Sequence, residues 1–230
     1  MKHTLTTFIA LLAGAAFSQE SPTPTATGDW DPQVYHVGEM YPGWIINNDG
    51  DTVRGFIKAD TRCSIEGIGS SNQNTAAFYL HESDKKPTAK YKPGEIKGYM
   101  VADKVYESIN YSGGLLKKPN FNLVVQDGKI RIYEWYSTAE SYATLRQMSG
   151  ESWQDFDKRR FETKTLFAKD PTAPVELATL GMQFAKRMPE LISDNPDMAK
   201  KVENKEKGYK FVNMFEVVTE YNNWAAAQGK

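Results

Sequence analysis

Two hydrophobic periods divide the chain. From Trp30 to about Asp170, apolar and polar residues alternate in short runs bounded by turn residues, the pattern of half-buried strands. "GWIINNDGDTVRGFIKA" sets two such runs around Asn47-Asn48-Asp49-Gly50-Asp51, where Asp-Gly supplies the positive φ of a tight hairpin. "NLVVQDGKIRIYEWY" repeats the device at Asp127-Gly128, with Lys129, Arg131 and Tyr133 alternating with Ile130, Ile132 and Glu134. "GYMVADKVYESINY" predicts a third hairpin folding at Ala102-Asp103-Lys104, and "AAFYLHE" and "RRFETKTLFAK" predict further strands. "SSNQNT" and "SGGLLKKP" read as loops by composition.

After Pro171-Thr172-Ala173-Pro174 the period lengthens. Val175 to Met188 predicts a helix ended by Pro189, and Asn195-Pro196 supplies an N-cap with proline at the first helical position. Phe211, Phe215, Val218, Tyr221 or Asn222, and Ala225 form a helical stripe, with Met214 and Trp224 beside it. Strands followed by helices, without βαβ alternation, give an α+β fold: an antiparallel β-meander or partly closed β-barrel over 30–170, followed by two or three C-terminal helices from 171–230 packed on it.

The start of the chain changes the picture from fold to location. "MKHTLTTFIALLAGAAFSQE" has a basic head at Lys2, an apolar stretch from Leu5 to Phe17 and small residues Ala16 and Ser18 before Gln19. Residues 1–18 therefore read as a secretory signal peptide, and the apolar stretch is too short to span a membrane. "ESPTPTATGD" makes 19–29 a Pro/Thr-rich linker, and the predicted destination is periplasmic or secreted. Cys63, the single cysteine, can form no internal disulfide and reads as a buried small hydrophobe.

"YKPGEIKGYM", residues 91–100, has glycines and lysines but no Lys-Ser or Lys-Thr pair and no helix following. It is a structural turn that feeds a strand, with Ile96 and Tyr99 turned inward, not a phosphate loop. Together with "GWIINNDGDTVRGFI" and the tail from Phe184 to Trp224, this segment resembles a family of secreted proteins of Bacteroidetes-type bacteria. Gly50-Asp51-Thr52, Tyr91 to Tyr99 and Tyr221-Asn222 carry the likeness. The resemblance implies an envelope location and a β-then-helix layout, and it supplies no catalytic residues.

Charge gives the main functional lead. Residues 29–84 carry nine acids and three bases, whereas 85–131 carry ten bases and four acids, in a chain whose net charge is -1. Either the two blocks pair across strands and set register, or Lys85, Lys86, Lys90, Lys92, Lys117 and Lys118 form a basic patch. Such a patch would take an anionic envelope polymer or another envelope protein. The nearly neutral total and the export signal speak against nucleic acid. Trp44 and Trp135, among aromatics near strand ends, are either core residues or a platform for a sugar or peptide. Asp51-Thr52-Val53 also resembles a short O-glycan acceptor pattern, although hairpin chemistry explains it.

Catalytic equipment is sparse. Past the leader only His36 and His81 are present, so a Cys63–His dyad has few builds. "HESD" (81–84) would scatter its ligand-type side chains on a strand, and no spaced Cys/His pairs suggest zinc. No catalytic residue, metal or cofactor is therefore assigned. The expected function is a non-catalytic binding or assembly module of the cell envelope. The alternative is a hydrolase of envelope or extracellular polymers that uses carboxylates or Cys63.

Overall fold

The computed structural model describes residues 35–64, 71–113, 118–140, 145–152, 155–156 and 159–229. The leader, the linker, Trp30, Lys117 and Trp153 lie outside the described residues. Ten strands run β1 Met40–Ile46, β2 Thr52–Lys58, β3 Ala76–Tyr79, β4 Ala89–Tyr91, β5 Gly98–Val101, β6 Lys104–Ile109, β7 Asn120–Gln126, β8 Arg131–Tyr136, β9 Thr163–Ala168 and β10 Val175–Glu176. After the last strand, the described residues form four helices: α1 Leu177–Met182, α2 Phe184–Leu191, α3 Pro196–Glu203 and α4 Met214–Ala227, the last entered through a 3-10 turn at Phe211–Asn213. The fold is α+β, as the change of period predicts.

All strands join one open antiparallel sheet in the order β10-β9-β8-β7-β6-β5-β1-β2-β3-β4. Two meanders, β1–β4 and β5–β10, meet where β1 pairs with β5. Flat strands would place β4 and β5 about 19 Å apart, four inter-strand spacings. Yet only Lys92–Lys97 join them, and these residues contain a turn in which the Glu95 N–H donates to the Lys92 carbonyl at 3.1 Å. The first half of the sheet must therefore curl. Gly43 of β1 and Gly55 of β2 are paired at the bend. A Cβ on Gly43 would collide with the Met100 carbonyl, and one on Gly55 with the Tyr79 carbonyl, so only glycine permits this closeness.

The curl encloses Ile45, Ile57, Phe78, Ile96, Tyr99, Tyr106, Phe121 and Leu123, with Tyr99 and Tyr106 stacked at 5.1 Å. Further along the same face, Ile132 and Phe167 are covered by Leu180, Met188, Val202, Val218 and Tyr221 of the helices. Strand alternation sends Trp44, Val105, Val124, Tyr133 and Leu166 to the opposite face. Both faces of the central strands are thus apolar, although the pattern at Arg131 and Tyr133 predicts only one.

The hairpins fold where the sequence places them. Asn47 closes the first, its N–H donating to the Asp51 carbonyl at 3.0 Å and its Oδ1 accepting from the Asp51 N–H at 2.8 Å. The helical region differs from expectation in four respects. Val175–Glu176 adds a tenth strand before the helix begins. Gln183, at φ -132°, splits the expected helix in two. Pro189 does not end α2 but sits buried inside it. The proline deprives only the Ala185 carbonyl of its helical donor, and packing of the ring offsets that loss.

The stripe on α4 is also rotated. Met214, Val217, Val218, Tyr221 and Ala225 are buried, whereas Phe211 and Phe215 are 44% and 48% exposed. Asn195 caps α3 as read, accepting from the Met198 N–H at 3.2 Å, with Pro196 at the first position.

Polar side chains, rather than apolar ones, complete two of the joints. Ser71, Asn72 and Gln73, in a segment polar enough to read as a loop, are buried inside the curl, whereas Asn74 is exposed. The Gln73 amide clasps Tyr136 at the end of β8, accepting from its N–H at 2.8 Å and donating to its carbonyl at 2.9 Å. The Tyr99 hydroxyl donates to the Asn72 carbonyl. At the other end of the sheet, Asn222 of α4 makes the same two-point clasp on Ile130, at 2.8 and 2.9 Å. These amides replace a missing strand partner, since buried backbone groups must be paired.

Candidate functional site

The lysines singled out by the charge distribution lie along one edge of the sheet. β4 pairs on one side only, with β3. Lys90 projects from the middle of this edge strand, Lys85 and Lys86 lie in the connection leading into it, and Lys92 directly follows it. All four are exposed, and with Lys118 they make no ion pair among the described residues. Lys90 and Lys92, two apart on an extended chain, are about 7 Å apart along it. Edge lysines repel a second strand and so protect the sheet from edge-to-edge pairing. The same hydrated charges form a linear cationic strip.

The 92–97 link turns this strip around a corner. Gly94 N–H donates to Ser108 Oγ at 2.8 Å, and Asn48 Nδ2 donates to the Gly94 and Glu95 carbonyls at 3.1 Å. Pro119 packs 3.7 Å from where a Gly94 Cβ would stand, which brings Lys118 beside the link. A phosphate cradle needs free backbone N–H groups. Here Gly94 N–H is held by Ser108, Glu95 N–H by Lys92, and Lys97 N–H by the Ile46 carbonyl at 2.9 Å. The segment is a turn feeding β5, and Ile96 and Tyr99 are buried as expected.

Among the described residues, the ion pairs do not join a strand of the acidic block to a strand of the basic block. Asp49, Asp51, Glu82 and Asp84 lie in connections rather than on strands. Arg131 instead pairs with acids of its own block, Glu107 at 2.8 Å and Asp127 at 2.7 Å.

The two tryptophans part company. Trp44 is 4% exposed and belongs to the core, so it offers no platform. Trp135 is half-buried, with Tyr111 edge-on at 5.9 Å and the Lys164 ammonium 5.6 Å above its ring. Tyr111 is fixed in turn by donating to Glu176 at 2.6 Å. Burial and the Glu176 carboxylate both push its hydroxyl pKa upward. Trp135 lies on the face of the sheet opposite the helices and is not part of the lysine edge.

Converging titratable groups exist, but they join elements. Glu107 accepts from the Tyr133 hydroxyl at 2.6 Å and, with Arg131, ties β6 to β8. Burial and Glu107 raise the Tyr133 pKa. Lys169 and the Tyr221 hydroxyl both donate to Asp194 at 2.7 Å, pinning the α2–α3 corner between β9 and α4. Burial alone would raise the Asp194 pKa, but these two donors hold it below the ordinary carboxylate value. Cys63 is buried in the curl beside Ile57 and Ala59.

His81 lies in an exposed turn, where its N–H donates to Asp84 Oδ2 at 3.0 Å, and not on the strand that "HESD" suggests. Among the described residues no three His, Cys, Asp or Glu side chains group as they would around a metal ion. Nor is any helix there long and apolar enough to cross a membrane.

Comparison with known family models, curated proteins and solved structures gives no match.

Proposed function

We propose that the protein is an exported, non-catalytic binding module of the cell envelope that takes an anionic polymer along the β4 edge. The exposed lysine strip, unpaired among the described residues at Lys85, Lys86, Lys90, Lys92 and Lys118, carries this reading. A lysine ammonium is a hydrated point charge without the planar fork of arginine. Such a strip responds to the density of negative charge along a polymer rather than to the shape of any one acidic group. The leader sequence supports an envelope or extracellular setting, and the resemblance to secreted Bacteroidetes-type proteins agrees with it.

The test is retention of purified protein on immobilised polyglutamate and on envelope extract at low and high salt. Wild type is held at low salt and released at high salt, because exposed charges are screened over about 8 Å at physiological ionic strength. Lys90→Glu/Lys92→Glu and Lys117→Glu/Lys118→Glu lose retention, whereas Lys200→Glu/Lys207→Glu on the helical layer keeps it. Equal recovery of all variants at both salt concentrations would leave the lysines with edge protection alone.

A further inference from the structure

The β4 edge presents an open backbone as well as charge. In an antiparallel ladder, successive residues of a strand turn their N–H and C=O groups to opposite neighbours. The Ala59 N–H donates to the Glu39 carbonyl at 2.8 Å, and the Asn47 N–H to the Asp51 carbonyl at 3.0 Å. These bonds turn the odd-numbered residues of β2 toward β1, and so turn Phe56 and Lys58 toward β3. Phe56 stands opposite Tyr79, so Tyr79 faces β2 and its neighbour Phe78 faces β4. Phe78 and Ala76 stand opposite Ala89 and Tyr91, which are therefore the β4 residues bonded to the sheet. Lys90, between them, turns its N–H and C=O away from β3, to a side where no strand of the described residues runs. The Lys92 N–H shares this direction and is taken by the Glu95 carboxylate at 2.7 Å, so the chain already sets one acid on this edge. Thr88 is exposed and still runs beside β3, because its hydroxyl accepts from the Leu80 N–H at 3.2 Å. The open stretch thus runs from Thr88 to Lys90 and is closed at the Lys92 end by Glu95.

Resting on the anionic-polymer reading of the lysine strip, we infer that the polymer is an acidic peptide. It adds to β4 as an antiparallel strand with glutamate or aspartate at alternate positions. Three features favour a peptide over an anionic polysaccharide. The outward N–H and C=O of Lys90 are the complement of another strand's backbone, the mode by which an extended peptide joins a sheet edge. Side chains directly opposite one another in an antiparallel pair share a face. The acids of the partner therefore stand against Lys90 and Lys92, since alternate residues of both chains repeat about every 7 Å. On the other face Ala89 and Tyr91 are half-buried, Tyr91 against the core of the curl, so the residues between the acids meet an apolar surface. The lysines that turn away an apolar or basic strand select an acidic one.

The test is binding of capped peptides of alternating threonine and glutamate to the full chain, read by fluorescence anisotropy and by hydrogen exchange at the Lys90 amide. In this register the glutamates are the residues whose N–H groups point at β4. N-methylation of the glutamates therefore raises Kd by about tenfold or more, whereas N-methylation of the threonines, whose N–H groups point away, changes it by less than about twofold. The Lys90 amide exchanges freely in the unbound protein and is protected by the peptide, and polygalacturonate at equal charge concentration does not protect it. Equal affinity of the two methylated peptides, or a Lys90 amide that stays unprotected, overturns strand addition and leaves a polymer read by charge alone. Loss of binding on threonine methylation in place of glutamate methylation overturns the antiparallel register, and polygalacturonate bound as tightly as the unmethylated peptide overturns the choice of a peptide. If neither probe binds in a manner sensitive to salt and to Lys90→Glu/Lys92→Glu, the lysine-strip reading itself fails.

Discussion

Replacing Asn222 by alanine tests how the last helix is held. Its amide accepts from the Ile130 N–H at 2.8 Å and donates to the Ile130 carbonyl at 2.9 Å, and Ile130 is fully buried. Asn222→Ala leaves both backbone groups without that partner. An unsatisfied buried group costs about 1–3 kcal/mol. The neighbouring Asp127–Gly128 turn is open enough for water to recover part of the loss, so about 2–4 kcal/mol is expected for the pair. Asn223→Ala, exposed on the same helix, should change stability by less than about 0.5 kcal/mol. Urea melts followed by tryptophan fluorescence provide the measurement, since Trp224 lies against Tyr221 with ring centroids 5.7 Å apart.

A second substitution probes the same contact from the turn. Gly128 has φ +147°, and a Cβ there would overlap the Asn222 amide. Gly128→Ala should therefore destabilise the protein, and in an Asn222→Ala background the overlap disappears. The double mutant should be less damaged than the sum of the two, because residues in contact do not add. A change under about 0.5 kcal/mol for Asn222→Ala, as for an ordinary surface site, or strict additivity with Gly128→Ala, would refute the clasp.

Three further outcomes follow from the same structure. Met214→Ala, which removes a buried side chain, should cost about 2–5 kcal/mol, whereas half-exposed Phe215→Ala should cost about 1 kcal/mol; denaturant melts that reversed this order would put the helix back on its Phe215 face. Ala102 occupies φ +56° in the two-residue β5–β6 turn, so Ala102→Gly should stabilise by up to about 1 kcal/mol, and a loss of stability in thermal melts would contradict that turn. Asp194 has a depressed pKa, so its contribution is complete above the unfolded carboxylate value of about 3.9 and is lost as pH falls through the lower folded value. Asp194→Asn should therefore reduce stability at neutral pH and flatten the acid limb of the stability profile, and an unchanged acid limb would remove the Lys169–Asp194–Tyr221 joint from the account.

What the sequence determined by itself is what short-range physics controls. Asp49-Gly50 and Asp127-Gly128 supply backbone angles that few other pairs allow, so their hairpins are legible without a partner. Asn195-Pro196 caps α3 with groups that are adjacent in the chain. The change from period two to a helical period separates sheet from helices because it reflects the geometry of each element. The lysine edge was half legible: charge along the chain marked the residues, but nothing local placed Lys90 on a strand with one free side.

Tertiary structure decided the remainder. α4 and the turn that enters it carry two adjacent apolar stripes, through Phe211 and Phe215 and through Met214, Val217 and Val218. Burial area is non-directional, so the sequence cannot choose between them; Ile132 and Phe167 of the sheet make the choice. Residues 71–75 read as a surface loop because their side chains are polar. Gln73 is buried because a strand end far along the chain, at Tyr136, has backbone groups it can satisfy. Asn222 and Ile130 meet across 92 residues for the same reason. Such pairings exist only after the sheet has curled and the helices have docked, because their partners are brought together by the fold and by nothing in the local chain.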